Sequence, residues 1–295
     1  MTDSAVEFTL RARPKSIDGF DVARVLPQAV RRSVGPFVFF DHLGPSAIEK
    51  GHGLDVRPHP HIHLSTVTYL FEGSFLHRDS LGSTQVIEPL AINWMTAGNG
   101  IVHSERTPNR DRESGGRIHG LQLWVAMPES HEDGAPSFAH HAATEIPVVD
   151  DARVSVRVLV GEAFGATSPV RALLPTTYLD MTIAAGGDIA IPTEHEERAL
   201  YLLEGDALCD DIAIEPRTML ILRTGAPAVI SSQRGARVVL IGGARLERPR
   251  YIWWNFVSSR KEAIEEAAAR WKAGAFPRVP GDDVEFIPLH DTPRL

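Results

Sequence analysis

The chain has 295 residues, 43% of them hydrophobic and 23% charged, with a net charge of −8. That length sets a prior of two domains, and the hydrophobic share is enough to bury a core, which excludes a disordered tail. The acidic balance excludes direct non-specific nucleic-acid binding, which needs a basic stripe. No stretch approaches the ~18 consecutive apolar residues of a membrane-spanning helix. The single cysteine, Cys209, excludes an internal disulfide framework and fits a reducing, cytoplasmic compartment. Residues 1–10 lack the cationic and apolar regions of a secretory leader. The chain carries 13 histidines, and only His195 and His290 fall after residue 142.

In chain order, short apolar runs at 36–40, 65–71, 90–95, 120–126 and 154–160 are bounded by Gly, Pro, Asp or Asn, and they predict strands of a mostly antiparallel β protein. Between the first two lies His59-Pro60-His61-Ile62-His63. In a strand, residues i, i+2 and i+4 share one face, so the three imidazoles point the same way. Pro60 lacks an amide donor, which places the piece on a sheet edge or at a strand start. After a hairpin and the turn Thr96-Ala97-Gly98-Asn99-Gly100 comes a second i, i+2 pair, His103 and Glu105. Two such pairs on adjacent strands supply imidazoles and a carboxylate to one ion. Nitrogen and oxygen donors suit Fe(II), Mn(II), Co(II), Ni(II) or Zn(II), and the lack of thiolate argues against Cu(I) and iron–sulfur sites. A lone His-x-His is more often a solvated loop than a ligand pair; the combination carries the specificity.

The first half is repeated in the second. Tyr69-Leu70-Phe71-Glu72-Gly73 recurs as Tyr201-Leu202-Leu203-Glu204-Gly205, and Ile87-Glu88-Pro89 as Ile214-Glu215-Pro216. Gly98 and Gly225 keep the same interval from those prolines. A duplicated β domain follows, with domains at 1–135 and 136–295 and a polar connection at 128–136. Counting back from each tyrosine sets Ile191, Thr193 and His195 against His59, His61 and His63. No His or Glu follows Gly225 in the second copy, so the framework does not need the proposed ligands. Near the end of the chain, Ser259-Arg260-Lys261-Glu262 reads as a capping box. Ala263, Ile264, Ala267, Ala268 and Trp271 then share a helical face and Gly274 is a stop, which predicts a helix over about 259–273.

The stretches FVFFDHLGP (37–45), HPHIHLSTVTYLFEG (59–73), NWMTAGNGIVHSE (93–105) and GLQLWV (120–125), with ARLERP (244–249) and AGAF (273–276), resemble the pirins, a bicupin family. The resemblance implies an all-β fold of two cupin-type β-sandwich or barrel domains with a C-terminal helix and metal in the N-terminal domain only. It carries the family's ligands onto His59, His61, His103 and Glu105, holding one divalent metal ion, Fe(II) first among the candidates. Many pirins have Arg-Gly-Phe-Glu where this chain has Ile62, His63, Leu64 and Ser65; His63 stands where glycine is usual and is a candidate supporting residue, with His42 and Gln122. Val38, Phe40, Trp94 and Leu121 are candidates for lining the pocket. The resemblance implies a quercetin 2,3-dioxygenase-like activity on small flavonol- or catechol-like phenolics, with Glu105 accepting the substrate proton. The alternative it carries is a metal- and redox-dependent regulatory protein that binds a transcription factor or metabolic enzyme.

Overall fold

The computed structural model describes residues 4–17 and 20–289. Residues 1–3, at the head of the segment read for a leader, and His290 lie outside the described residues. The predicted runs form strands, and two units of the same design result. In one, a seven-stranded sheet runs in spatial order Ser137–His141, Ile92–Thr96, Leu64–Glu72, Gly116–Ala126, Phe37–Ile48, Phe20–Leu26, Arg13–Ile17. Its four-stranded partner runs Asp55–His61, Ile101–Arg106, Phe75–Asp79, Thr84–Ile87. In the other unit the seven strands are Val6–Arg11, Thr218–Leu222, Glu197–Gly205, Ala236–Gly243, Thr176–Ile183, Val154–Val160 and Val148–Asp150; the four are Gly187–Ala190, Val229–Ser232, Ala207–Cys209 and Ile212–Ile214. Apart from the origin of the first edge strand, the orders match position for position, which is the duplication seen in the repeats. Gly73 and Gly205 end corresponding strands with φ of 77° and 80°, a left-handed conformation in which a side chain is strained.

The units do not divide the chain at residue 135. Of the described residues, one comprises 14–17, 20–22, 38–143 and 247–289; the other comprises 4–13, 23–37 and 144–246. Edge strands and exposed apolar faces decide this. Val6–Arg11 hydrogen-bonds along Thr218–Leu222 and so closes the edge of the second copy's large sheet. The tail returns to the first copy, where Ile62 and Val102 meet Phe256, Ile264, Ala267, Ala268, Phe276 and Val279 in one apolar cluster.

The helix spans Lys261–Lys272 and buries Ile264, Ala267 and Ala268, the predicted face. Gly274 (φ 66°) follows its C-cap, and its amide bonds the Trp271 carbonyl. The capping box does not form. The N-cap is Arg260 with no side-chain cap bond, because the Ser259 hydroxyl donates to Glu132 Oε2 at 2.8 Å and its amide to Glu132 Oε1 at 2.8 Å. A buried carboxylate outcompetes an exposed helix end for that hydroxyl. Among the described residues no helix is long and apolar enough to cross a membrane.

Candidate metal centre

The Asp55–His61 strand is an edge strand of its sheet, as Pro60 requires. It pairs antiparallel with Ile101–Arg106, with His103 opposite His59 and Ile101 opposite His61. A bulge follows, setting Glu105 opposite Val56 rather than Arg57. This register brings one nitrogen from each of His59, His61 and His103 within 4.8 Å of one another, and all three residues are buried. Glu105 is buried beside them but is not a member of that group.

The ring nitrogens are sorted by their neighbours. His59 Nδ1 donates to the Arg57 carbonyl at 2.8 Å, and His61 Nδ1 to the Asn255 carbonyl at 2.9 Å. A carbonyl only accepts, so each ring carries a proton on Nδ1, and Nε2 is the nitrogen that can offer a lone pair. His103 Nδ1 lies 3.5 Å from His77 Nδ1, and His103 Nε2 is buried with no hydrogen-bond partner among the described residues. A buried imidazole nitrogen without a partner is costly unless something else binds its lone pair. The donor set fits a divalent cation: imidazole nitrogens converging in a buried site, with a carboxylate close by.

The electrostatics agree. Burial, then the neighbouring His59, holds His61 well below its ordinary pKa, against a smaller opposing effect of the Asn255 carbonyl. Burial, then His59, His61 and His77, does the same to His103. Both therefore stay neutral, the form that ligates a metal. Burial raises the Glu105 carboxyl above the usual range, opposed by His77 and by its bond from Thr68.

Glu105 sits at the end of a short polar chain. Thr68 Oγ1 lies 2.9 Å from Glu105 Oε1 and 2.9 Å from Gln122 Oε1. A hydroxyl has a single proton and serves one oxygen at a time. Turning the Gln122 amide end for end lets Thr68 give that proton to Glu105 and accept from the amide. Gln122 thus reaches the site through Thr68.

The other sequence candidates go elsewhere. His63 Nδ1 faces the Ser258 hydroxyl at 2.9 Å and Glu132 Oε2 at 3.3 Å, and its Nε2 lies 3.6 Å from Asp133. Its φ of 58° explains why glycine suits this position. His42 Nε2 contacts His119 Nε2 at 2.8 Å. Val38, Phe40, Trp94 and Leu121 are buried. The indole that meets the triad is Trp124, edge-on to His61 at 5.2 Å and stacked on Phe39 at 4.0 Å.

His77, Asp79, Thr68, Trp124 and Asn255 went unpredicted. The first two carry the same i, i+2 signal as the ligands, since Phe75, His77 and Asp79 share one buried face. Asn255 carries none: it reaches His61 from 194 positions away.

Comparison with known proteins places this geometry. Residues 19–125 match Pirin, and residues 178–277 match the Pirin C-terminal cupin domain. A pirin-like protein of Caulobacter vibrioides is 45% identical over 287 residues, covering 96% of this chain and 99% of that protein. Human pirin is 33% identical over 254 residues, covering 81% of this chain and 84% of its own. A solved structure of quercetin 2,3-dioxygenase from Acinetobacter baumannii superposes with a TM-score of 0.91 at 35% identity, covering 98% of this chain and 96% of that one. Both units are thus cupin-type sandwiches.

Proposed function

The chain belongs to the pirin family, and from that premise we propose that it is a mononuclear non-haem metal dioxygenase that cleaves flavonol- or catechol-like phenolics. The observation that carries this reading is the convergence of three buried imidazoles on one point, with His103 Nε2 bare. The likeness to a structure named quercetin 2,3-dioxygenase supports the substrate class. In this reading His59, His61 and His103 hold the ion, Fe(II), with Glu105 as a fourth, displaceable ligand. The site belongs to the first cupin copy, and the protein works in the cytoplasm.

A bound divalent ion supplies Lewis acidity toward a substrate hydroxyl. The chain supplies the rest. Glu105 accepts the hydroxyl proton, a role its raised pKa suits because a base nearer neutrality both takes and returns a proton. Thr68 keeps one Glu105 oxygen oriented. Trp124 sets an apolar ring beside His61.

The test is oxygen uptake across a panel of flavonols and catechols, with elemental analysis of the same samples. Glu105→Gln is expected to lose uptake by about 10²-fold or more, in line with removal of a general base, while retaining most of its metal. Equal loss of metal and uptake would make Glu105 a ligand only, and no uptake with any phenolic at full metal occupancy would overturn the enzymatic reading.

A further inference from the structure

Resting on the reading that His59, His61 and His103 hold the metal, we infer that Asp79 and His77 form a relay that fixes the tautomer of His103 and so commits its Nε2 to the ion. The chain of contacts starts at a tight turn. Asp79 Oδ1 accepts the amides of Leu81 at 2.9 Å and Ser83 at 3.0 Å, which locks the carboxylate in place. Its other oxygen, Oδ2, lies 3.1 Å from His77 Nε2. A carboxylate held this way accepts, so His77 carries its proton on Nε2 and presents a bare Nδ1. That nitrogen is 3.5 Å from His103 Nδ1 and accepts its proton. His103 is then left with a bare Nε2, the buried atom that has no partner among the described residues.

Only one proton arrangement satisfies every step. If His77 instead carried its proton on Nδ1, its bare Nε2 would face the Asp79 carboxylate, two acceptors with no proton between them. Packing holds His77 in this orientation, since its ring stacks on Phe138 at 4.3 Å, nearly parallel, in a buried position. Strand pairing sets the distances, with His103 opposite Asp79 and Glu105 opposite His77. His59 and His61 are oriented by backbone carbonyls, which no substitution removes directly. Among the triad, His103 is the ligand whose tautomer depends on side chains, and a carboxylate behind an imidazole raises the basicity of the ligand it supports.

The distinguishing substitution is Asp79→Asn. The asparagine keeps Oδ1 for the two turn amides but turns an NH2 toward His77 Nε2. That drives the His77 proton to Nδ1, against His103, and pushes His103 toward the tautomer that cannot ligate. His77→Phe keeps the stack on Phe138 and removes the acceptor. His77→Gln restores it, because the amide oxygen can accept from His103 while its NH2 donates to Asp79.

The readout is Ni(II) affinity by chelator competition on the full chain, with melting of the metal-free proteins as the folding control. Asp79→Asn and His77→Phe are expected to lose roughly 10–100-fold, as removal of an orienting partner of a ligand does. His77→Gln is expected to bind nearly as well as wild type. Unchanged affinity in Asp79→Asn and His77→Phe, or equal loss in His77→Gln and His77→Phe, overturns the relay. Failure of the underlying reading looks different: wild type would not hold Ni(II), or His103→Ala would hold it equally well.

Discussion

The two sandwiches share a strand order and differ at the place where the first gathers its histidines. In the first, Ile101 pairs with His61 and His103 with His59. In the second, the Ile191 amide bonds the Ala228 carbonyl and Ile230 pairs with Ile189. Gly98 and Gly225 align the strands that follow them, so Ile230 stands where His103 does. The positions of His59, His61 and His103 are therefore occupied by Ile189, Ile191 and Ile230, which join the apolar core of their unit. This corrects the counting from Tyr201, which set Ile191 and Thr193 against His59 and His61. The segment between Ile191 and the next strand is longer than the Ile62-His63 link, and an ungapped count runs past the difference. A second exchange accompanies the first. Arg198 stands at the position of Thr66 and is buried, donating to the carbonyls of Pro192 at 2.9 Å, Arg223 at 2.9 Å and Ala226 at 2.8 Å. The same scaffold is thus closed in one copy by three convergent imidazoles, and in the other by isoleucines with a built-in guanidinium tying the adjacent loops.

The largest effect is expected from making the first copy resemble the second. His59→Ile, His61→Ile and His103→Ile together are expected to abolish metal binding by elemental analysis while the protein stays folded, because the second copy shows that the framework accepts isoleucine at all three places. The substitution should also change the response to acid. In the metal-free protein His61 and His103 are held well below the value near 6.5 that they have when unfolded. Below about pH 6.5 the unfolded chain binds protons that the folded chain refuses, so their contribution is complete above that pH and lost as pH falls through it. Glu105, raised by burial, acts in the opposite sense at its own range: its contribution is lost as pH rises. Melting temperatures of the metal-free proteins at about pH 7.5 and 5.5, on either side of that value, check this. Wild type should lose more on acidification than the triple variant, and an equal loss would show that the histidines do not govern it.

The converse probe is Arg198→Met in the second copy. It keeps much of the buried stem and removes the donors to three carbonyls, which is expected to destabilise the protein by about 2–4 kcal/mol. Metal affinity should not change, since Arg198 belongs to the unit without histidine ligands. Denaturant titration and chelator competition on the same preparations separate the two; a large stability loss coupled to metal loss would break the picture of independent closures.

What the sequence disclosed follows from the range of each interaction. The i, i+2 rule needs only a strand, so His59, His61 and His103 were legible, and so in principle were His77 and Asp79, which carry the same spacing. The repeats disclosed the duplicated sandwich because turn glycines and prolines are local requirements. The exchange of Val6–Arg11 and of the tail between units was hidden, since which edge a strand closes depends on which edge is free. Asn255 was hidden for the same reason: a two-residue turn, with Trp254 at φ 52°, delivers its carbonyl to His61 only after the tail has docked. Ser259 was misread because the buried Glu132 that claims it is distant in sequence.

The smallest effect is expected at His63, which holds a left-handed backbone. Replacing it by glycine relieves a left-handed backbone that costs an L-residue about 1–2 kcal/mol. Against that, glycine adds about 0.5–1 kcal/mol of backbone entropy, and the bond to Ser258 is worth about 1 kcal/mol. Glu132 keeps Ser259 and the guanidinium of Arg250 at 3.3 Å, so its buried charge is not abandoned. These contributions nearly cancel, and His63→Gly is expected to shift stability by less than about 1 kcal/mol with Ni(II) affinity unchanged. A substantial loss of affinity would bring His63 into the metal chemistry after all. An unchanged value makes the histidine a strut between Glu132 and the returning tail, placed two residues from His61 only because the strand turns there.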